Sequence, residues 1–119
     1  MKKHLAAQIK LRAPTICRGE DLPFLNCGDG WYQLIADMMD ELEPMAHEMK
    51  RLYGKEPKLA WVETHHATMQ VVMDDIGKDM DAVIERYEEA SESVCENCGQ
   101  PGRPQGKWIE ILCDDCFTD

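Results

Sequence analysis

Four cysteines near the C-terminus carry thiols at a spacing that could bind a metal ion. Cys95 and Cys98 form one Cys-x-x-Cys pair, Cys113 and Cys116 form another, and fourteen residues separate the two pairs. Two intervening residues allow both sulfurs of a tight turn to point at one ion. Gly99 suits the position after the second ligand, where the chain must bend back with a positive φ. The pattern lies close to the spacing that is typical of four-thiolate zinc sites.

These ligands favour a structural Zn²⁺ ion. Thiolates are soft ligands that suit zinc in a closed, four-coordinate site. Because protein sulfurs would occupy all the positions, none remains for a catalytic water. The residues after 93 include few apolar side chains, so we expect metal binding to supply most of the folding energy there. Iron in a rubredoxin-like site, a thioredoxin-type redox pair and a disulfide scaffold are the alternatives that the sequence leaves open.

Other cysteines and histidines are weaker candidates. Cys17 and Cys27 lie ten positions apart, and we expect small buried or partly exposed thiols rather than half of a second metal site. His65 and His66 are adjacent, so on a strand they would point to opposite faces and could not easily share one ion. The sequence has no phosphate-binding glycine loop, serine nucleophile motif or kinase signature. We therefore expect a protein without enzymatic activity.

Acidic residues dominate the charge of the chain, and one segment concentrates them. The formal net charge is −10, from 23 acidic and 13 basic residues. Residues 74–92 hold eight acids against Lys78 and Arg86. Such a surface repels phosphate, so it either keeps a helix solvated or binds a basic protein surface. The acids that we single out as candidate partner-binding residues are Asp79, Asp81, Glu85 and Glu88.

The N-terminal segment has the opposite charge. It carries a group of basic residues with no acid before Glu20, namely Lys2, Lys3, Lys10, Arg12 and Arg18. These side chains could contact phosphates, which makes nucleic-acid binding the alternative function. No apolar run approaches the roughly 18 residues that span a bilayer, and no secretory signal pattern follows the basic start. We expect a cytoplasmic protein.

Two helices are expected to position these groups. Apolar residues at alternating steps of four and three predict a first main helix, from Asp29 to Gly54; they are Trp31, Ile35, Met38, Leu42, Met45, Met49 and Leu52. We predict that Asp29 caps this helix and that Gly54 ends it. Pro44 is expected to kink or break it near Glu43. Whether the methionine-lined stripe is core or interface, and whether the chain forms a homo-oligomer, is left open.

The remaining pattern predicts short strands and a second main helix. Residues 58–72 favour extended chain, with a turn near His65-His66. A helix is expected to follow from Met73 to about Ser91, with Asp74 and Asp75 in its first turn. Residues 107–112 should form a strand that delivers the second cysteine pair.

The predicted fold class is α+β, with two main helices, a short β-hairpin and a C-terminal zinc ribbon. We predict an α+β domain over residues 1–93, which begins with an irregular basic segment in which residues 3–12 could form a short helix. Residues 94–119 are predicted to form the zinc ribbon.

Two stretches resemble small, mostly uncharacterised zinc-ribbon proteins of bacteriophages and prophages. The first is Cys27–Ile35, with the sequence CGDGWYQLI, and the second is Val94–Gly102 followed by Trp108 and by Leu112–Cys116. The resemblance covers about residues 24–117. The chain differs from that group in having His65-His66-Ala67 where a glycine-containing turn is common, and Cys116 where histidine is frequent. The resemblance implies a phage-linked accessory protein and no particular activity.

These observations lead to two functional hypotheses. The first is a non-enzymatic, zinc-binding interaction protein that binds and inhibits a bacterial host protein complex, such as a defence system. Its acidic face would compete for a basic nucleic-acid channel on that complex. The second is a nucleic-acid-binding or transcription accessory factor that uses the basic N-terminal segment.

Overall fold

The computed structural model of the chain describes residues 1–117. It confirms the α+β class, with three α-helices and two small sheets. The elements in chain order are α1 (Lys3–Arg12), β1 (Leu25–Asn26), α2 (Tyr32–Tyr53), β2 (Lys58–His65), β3 (Thr68–Asp74), α3 (Lys78–Ala90), β4 (Arg103–Gln105) and β5 (Glu110–Leu112). Within the described part of the chain, no helix is long and apolar enough to cross a membrane.

Helix α2 is the centre of the core. It contacts both α1 and α3, and α3 contacts β3. Its apolar stripe is fully buried at Ile35, Met38 and Leu42. Trp31, which precedes the helix, is also completely buried. Burial of large side chains at this spacing explains why the periodic pattern folds as a helix.

The ends of α2 correct one prediction and confirm another. Asp29 does not cap the helix; it lies in a 3₁₀ turn, and its Oδ1 accepts the backbone N–H of Lys2 at 2.9 Å. The prediction was wrong because Asp29 begins this turn, which separates it from Tyr32, the first residue of α2. Gly54 ends the helix with φ 67°, and its N–H donates to the carbonyl of Lys50 at 3.0 Å.

Pro44 lies inside α2 without ending it, so the predicted break near Glu43 does not occur. Proline removes one backbone hydrogen bond from a helix interior. Leu42 and Ala46, on either side, are fully buried in the core. Packing on both sides of the proline therefore holds the helix together across the missing bond.

The β2–β3 hairpin confirms the predicted turn near the two histidines. The strands pair antiparallel from Lys58↔Asp74 to His65↔Thr68. His66 and Ala67 both have positive φ, 50° and 67°. Two central residues with positive φ make the tight turn that matches the twist of a hairpin. This turn forms here without the glycine or asparagine that usually supplies it.

Two features of the sheet differ from the prediction. Strand β1, which was not among the predicted elements, pairs parallel with β2 through Leu25↔Val62. Asp74 ends β3 instead of starting a helix, and Asp75 has φ 59° while its Oδ2 accepts the N–H of Glu56 at 2.7 Å. Pairing with β2 extends β3 further than the residue pattern indicated, so α3 starts later.

Candidate metal centre

Two tight turns carry the four cysteines in what we call the cysteine ribbon, residues 94–117. Strands β4 and β5 pair antiparallel between these turns, with Arg103 opposite Leu112. The prediction of a strand over residues 107–112 was only partly right, because Lys107–Ile109 form the tip of the hairpin and the strand begins at Glu110. Strand β4 was not among the predicted elements.

The cysteine sulfurs converge on one point. The Sγ atoms of Cys95, Cys98, Cys113 and Cys116 all lie within 4.8 Å of one another. The Cys98 and Cys113 sulfurs are 3.6 Å apart. A tetrahedral ion with metal–sulfur bonds of about 2.3 Å places its ligand sulfurs about 3.8 Å apart. All four thiols are free, so the cluster has the ligand number and spacing to hold a metal ion.

Backbone amides favour the ionised form of one ligand. Burial opposes ionisation of the Cys95 thiol, but N–H groups of Cys113, Cys98 and Asn97 donate to it, and its pKa falls to about 6. The side-chain amide of Asn97 also donates to the Cys116 sulfur at 3.3 Å. Metal ions bind thiolates rather than thiols, so these donors favour metal binding.

The first turn has the backbone conformation that the sequence predicted. Gly99 has φ 86°, and its N–H donates to the carbonyl of Cys95 at 2.8 Å. Cys95 itself is fully buried, whereas Cys98 is exposed and Cys113 and Cys116 are intermediate. The metal centre therefore lies at the surface, with one ligand anchored in the protein interior.

The first cysteine turn packs on what we call the docking platform, residues 28–31. The N–H of Gly30 donates to the Glu96 carbonyl at 2.7 Å, and the N–H of Gly28 donates to the Glu96 carboxylate at 2.8 Å. The indole Nε1 of Trp31 donates to the Val94 carbonyl at 2.9 Å. These bonds fix the chain on both sides of Cys95.

The two platform glycines allow a backbone approach that no other residue permits. A Cβ on Gly30 would lie well under 3.0 Å from the Cys95 carbonyl oxygen, and one on Gly28 would meet the Glu96 carbonyl equally closely. Sequence reasoning placed this segment at a helix start and missed the contact. Two glycines flank Asp29, but this local pattern does not distinguish a docking contact from the start of a helix.

Glu96 also ties the cysteine ribbon to the sheet. Its Oε2 accepts the hydroxyl of Thr64, on β2, at 2.7 Å. Ile111, between the cysteine pairs, is 1% exposed and belongs to the core that α2 organises. The division into domains at residues 93 and 94 stays a prediction.

The weaker candidates lie away from this cluster. Cys17 and Cys27 are buried, as expected, and burial raises the pKa of Cys17 to about 11 and that of Cys27 to about 12. The rings of His65 and His66 are in edge-to-face contact, with centroids 4.2 Å apart. His65 ends β2 and His66 lies in the turn, so the two are not both on a strand as that expectation assumed. Within residues 1–117, the four ribbon cysteines are the only group with the arrangement of a metal site.

The acidic residues of α3 differ in their availability. Asp79, Asp81 and Glu85 are exposed on the helix. Glu88 is partly buried, and its Oε2 accepts the N–H of Val71 on β3 at 2.9 Å. Burial raises the pKa of Glu88, and the nearby charges of Asp81 and Glu85 raise it further. Glu88 therefore supports the sheet, while the other three acids face solvent.

The basic N-terminal side chains make internal contacts. Arg12 pairs with Asp40 at 2.7 Å, and Lys2 lies 3.6 Å from Asp29. Lys10 donates to the carbonyls of Gly19 and Asp21. Arg18 donates to three carbonyls, those of Thr15, Glu56 and Pro57, at 2.9 to 3.0 Å.

Comparisons of the chain with protein-family models, with curated proteins and with solved structures give no match. Two features of the molecule bear on its function. They are the four-cysteine cluster and the difference in exposure between the α3 acids and the N-terminal basic residues.

Proposed function

We propose that this chain is a non-enzymatic interaction protein that Zn²⁺ stabilises and that binds, and thereby blocks, a protein complex of a bacterial host. One observation carries the proposal. Asp79, Asp81 and Glu85 of α3 are exposed, whereas Lys10, Arg12 and Arg18 of the N-terminal segment donate hydrogen bonds to groups of the same chain. The partner surface should therefore be basic, and a channel that normally holds nucleic acid is such a surface.

Zinc has a structural role in this proposal. The four sulfurs surround one point at zinc-like distances, and soft thiolates favour zinc over harder cations. A closed set of protein ligands leaves no position for a reacting water. When bound, the ion contributes folding energy to the cysteine ribbon and orients its two turns.

The resemblance to phage zinc-ribbon proteins supports a phage origin and a site of action in the bacterial cytoplasm. A bacterial defence complex that grips nucleic acid would present a suitable basic channel. An acidic protein that occupies the channel would inhibit it by competition for the same positive charges. The inhibition requires binding alone, in keeping with the absence of recognisable catalytic motifs.

Nucleic-acid binding is the alternative that the contacts disfavour. Three of the five basic residues, Lys10, Arg12 and Arg18, already donate hydrogen bonds to groups of the same chain. Binding phosphates would compete with these contacts for the same donors. The net charge of −10 adds long-range repulsion of DNA or RNA.

The test is an affinity pull-down from bacterial lysate with the tagged, zinc-loaded chain, with and without nuclease. We expect a stoichiometric protein partner that survives nuclease and is lost when Asp79, Asp81 and Glu85 are all changed to lysine. A matched control changes three exposed acids elsewhere, Glu20, Asp21 and Glu56, to lysine and should retain the partner. Recovery of nucleic acid alone, or equal loss in both variants, would contradict the proposal.

A further inference from the structure

Each cysteine turn donates an N–H group to a sulfur of the other turn. The backbone N–H of Cys113, in the second turn, donates to the Cys95 sulfur. The side-chain amide of Asn97, in the first turn, donates to the Cys116 sulfur at 3.3 Å. Only the second donor belongs to a side chain, so it is the one that the residue type decides and that a substitution removes.

The residue before Asn97 restrains the backbone beside it. The N–H of Glu96 donates to the Ile111 carbonyl at 2.8 Å, and the carbonyl of Glu96 accepts the N–H of Gly30 at 2.7 Å. The Glu96 carboxylate accepts the N–H of Gly28 at 2.8 Å. These three bonds involve no cysteine, so the placement of Asn97 does not itself require a metal ion.

The second turn has weaker ties to the rest of the chain. Asp114, between its two cysteines, accepts from Arg103 at 3.1 Å and from Gln105 at 3.3 Å. The side chains of Arg103 and Asp114 are 70% and 79% exposed, and ion pairs in water contribute little because they are screened and mobile. The Asn97 bond therefore joins a ligand of the weakly held turn to the turn that packs on the docking platform.

The charge around a bound ion gives this bond a further role. A divalent ion with four thiolate ligands retains an excess of negative charge. Residues 94–117 add four acids against two basic residues; the acids are Glu96, Glu110, Asp114 and Asp115, and the bases are Arg103 and Lys107. Like charges therefore oppose closure of the second turn, and an N–H donor directed at one of its sulfurs offsets part of that repulsion.

Cys116 also borders two surface clefts. One cleft, of about 280 Å³, has Glu96 and Asn97 of the first turn and Cys116 of the second in its wall. The other, of about 470 Å³, is lined by Cys116 together with Trp108 and Phe117. Solvent and a competing metal ligand therefore have access to the Cys116 side of the cluster.

We propose that Asn97 is a positioning residue of the metal centre, whose amide holds the Cys116 thiolate toward the ion and slows release of the ion through the second turn. The inference rests on the zinc-binding part of the proposed function. Groups that hydrogen-bond to metal ligands fix the orientation of those ligands, and their loss typically lowers metal affinity by about 10- to 100-fold.

Asn97→Asp tests the bond in the full, zinc-loaded chain. The change keeps the shape of the side chain but replaces the N–H donor by an acceptor. Gln100→Glu is the matched control, because it makes the same change of amide to carboxylate at a nearby exposed side chain that does not line the clefts beside Cys116. We expect zinc transfer to an excess of a chromogenic chelator to be at least about tenfold faster in Asn97→Asp. Equal rates in the two variants would overturn the inference.

A second measurement separates a bond to the sulfur from a general loss of structure. The chain loaded with Co²⁺ should show a thiolate-to-cobalt absorption band, whose energy depends on the hydrogen bonds that the sulfurs accept. Asn97→Ala removes the donor without adding charge and should move the band to longer wavelength, whereas Gln100→Ala should leave it unchanged. A band that does not move in Asn97→Ala would also contradict the positioning role.

Two outcomes separate this inference from the proposed function. If Asn97→Asp releases zinc as slowly as the native chain, and the native chain still captures a nuclease-resistant partner, the positioning role fails and the proposed function stands. If Asn97→Asp releases zinc faster but no host partner is recovered, the proposed partner binding fails and the positioning role stands.

Discussion

The two cysteine turns of the ribbon contribute equal numbers of ligands but are held by different means. The first turn, around Cys95, packs on the docking platform and receives hydrogen bonds from Gly28, Gly30 and Trp31. The second turn, with Cys113 and Cys116, lies beyond a hairpin whose tip residue Trp108 is 83% exposed. The docking platform thus holds the first turn, and a bound metal ion would tie the second turn to it.

Metal removal should have the largest effect on the difference in stability between the two regions. Chelation of the ion is expected to abolish hydrogen-exchange protection in β4 and β5, because structural zinc supplies about 10 kcal/mol or more to comparable small sites. Protection of β2 and β3 should persist, since their pairing does not involve the cysteines. Mass spectrometry of peptides from the two regions measures both. Equal loss in β2–β3 and β4–β5 would show that the core also depends on the metal.

Substitution of Gly30 by alanine should detach the first turn. Its Cβ would collide with the backbone of Cys95 and Glu96, and we expect a loss of about 3 kcal/mol in the free energy of unfolding. Gly77→Ala is the control for an added methyl group without a backbone collision, since only the flexible end of Met49 lies near that Cβ position, and it should lose less than about 1 kcal/mol. Denaturant unfolding of the zinc-loaded chain measures both. A larger loss in the control would show that the contact with the docking platform does not stabilise the first turn.

Glu96→Gln weakens the contact between the first cysteine turn and the docking platform without a change in side-chain size. The carboxylate accepts from Gly28 and Thr64, and loss of its charge should cost about 1 to 2 kcal/mol of unfolding free energy. Glu110→Gln, an exposed position in β5, should change it by less than about 0.5 kcal/mol. Thermal or urea unfolding under saturating zinc distinguishes them, and equal effects would argue against a special role for Glu96.

The smallest effect should come from Glu43, a carboxylate outside the cysteine ribbon. Burial opposes ionisation of Glu43, but N–H groups of Thr15 and Ile16 donate to it and its pKa is lowered overall. Its contribution to stability is therefore present above the unfolded pKa of about 4.3 and is lost as the pH falls through the lower folded value.

Glu43→Gln should flatten the decline of unfolding free energy below about pH 4.3. His47→Ala removes a neighbour that also contacts this carboxylate, at 3.1 Å, and tests whether the backbone donors suffice. Urea unfolding at a series of acidic pH values measures both variants. A profile for Glu43→Gln that matches the native chain would assign the acid sensitivity elsewhere.

Local patterns predicted the elements whose determinants lie close together in the sequence. The α2 stripe, the end of that helix at Gly54 and the convergence of the four cysteines each depend on residues within a few turns of chain or on a motif of fixed spacing. The short helix α1 and the hairpin turn at His65-His66 were also anticipated. In each case, periodicity or residue type specifies the local backbone.

The missed features depend on contacts between distant residues. Gly28 and Glu96 are 68 positions apart, so nothing in the local pattern distinguishes a docking platform from a helix start. Strand β1 forms only because β2 offers it a parallel partner, and Asp74 joins β3 through pairing with Lys58. The engagement of Lys10 and Arg18 by backbone carbonyls likewise followed only from the tertiary fold.

The carboxylate of Glu88 has a consequence for how other chains can approach this protein. The Glu88 carboxylate accepts the N–H of Val71, and the Ser91 hydroxyl accepts the N–H of Met69, along the outer edge of β3. An edge strand with such groups unpaired is a template for intermolecular strand addition and aggregation. By occupying these two amides, the α3 side chains close this part of the β3 edge to the addition of a strand from another chain.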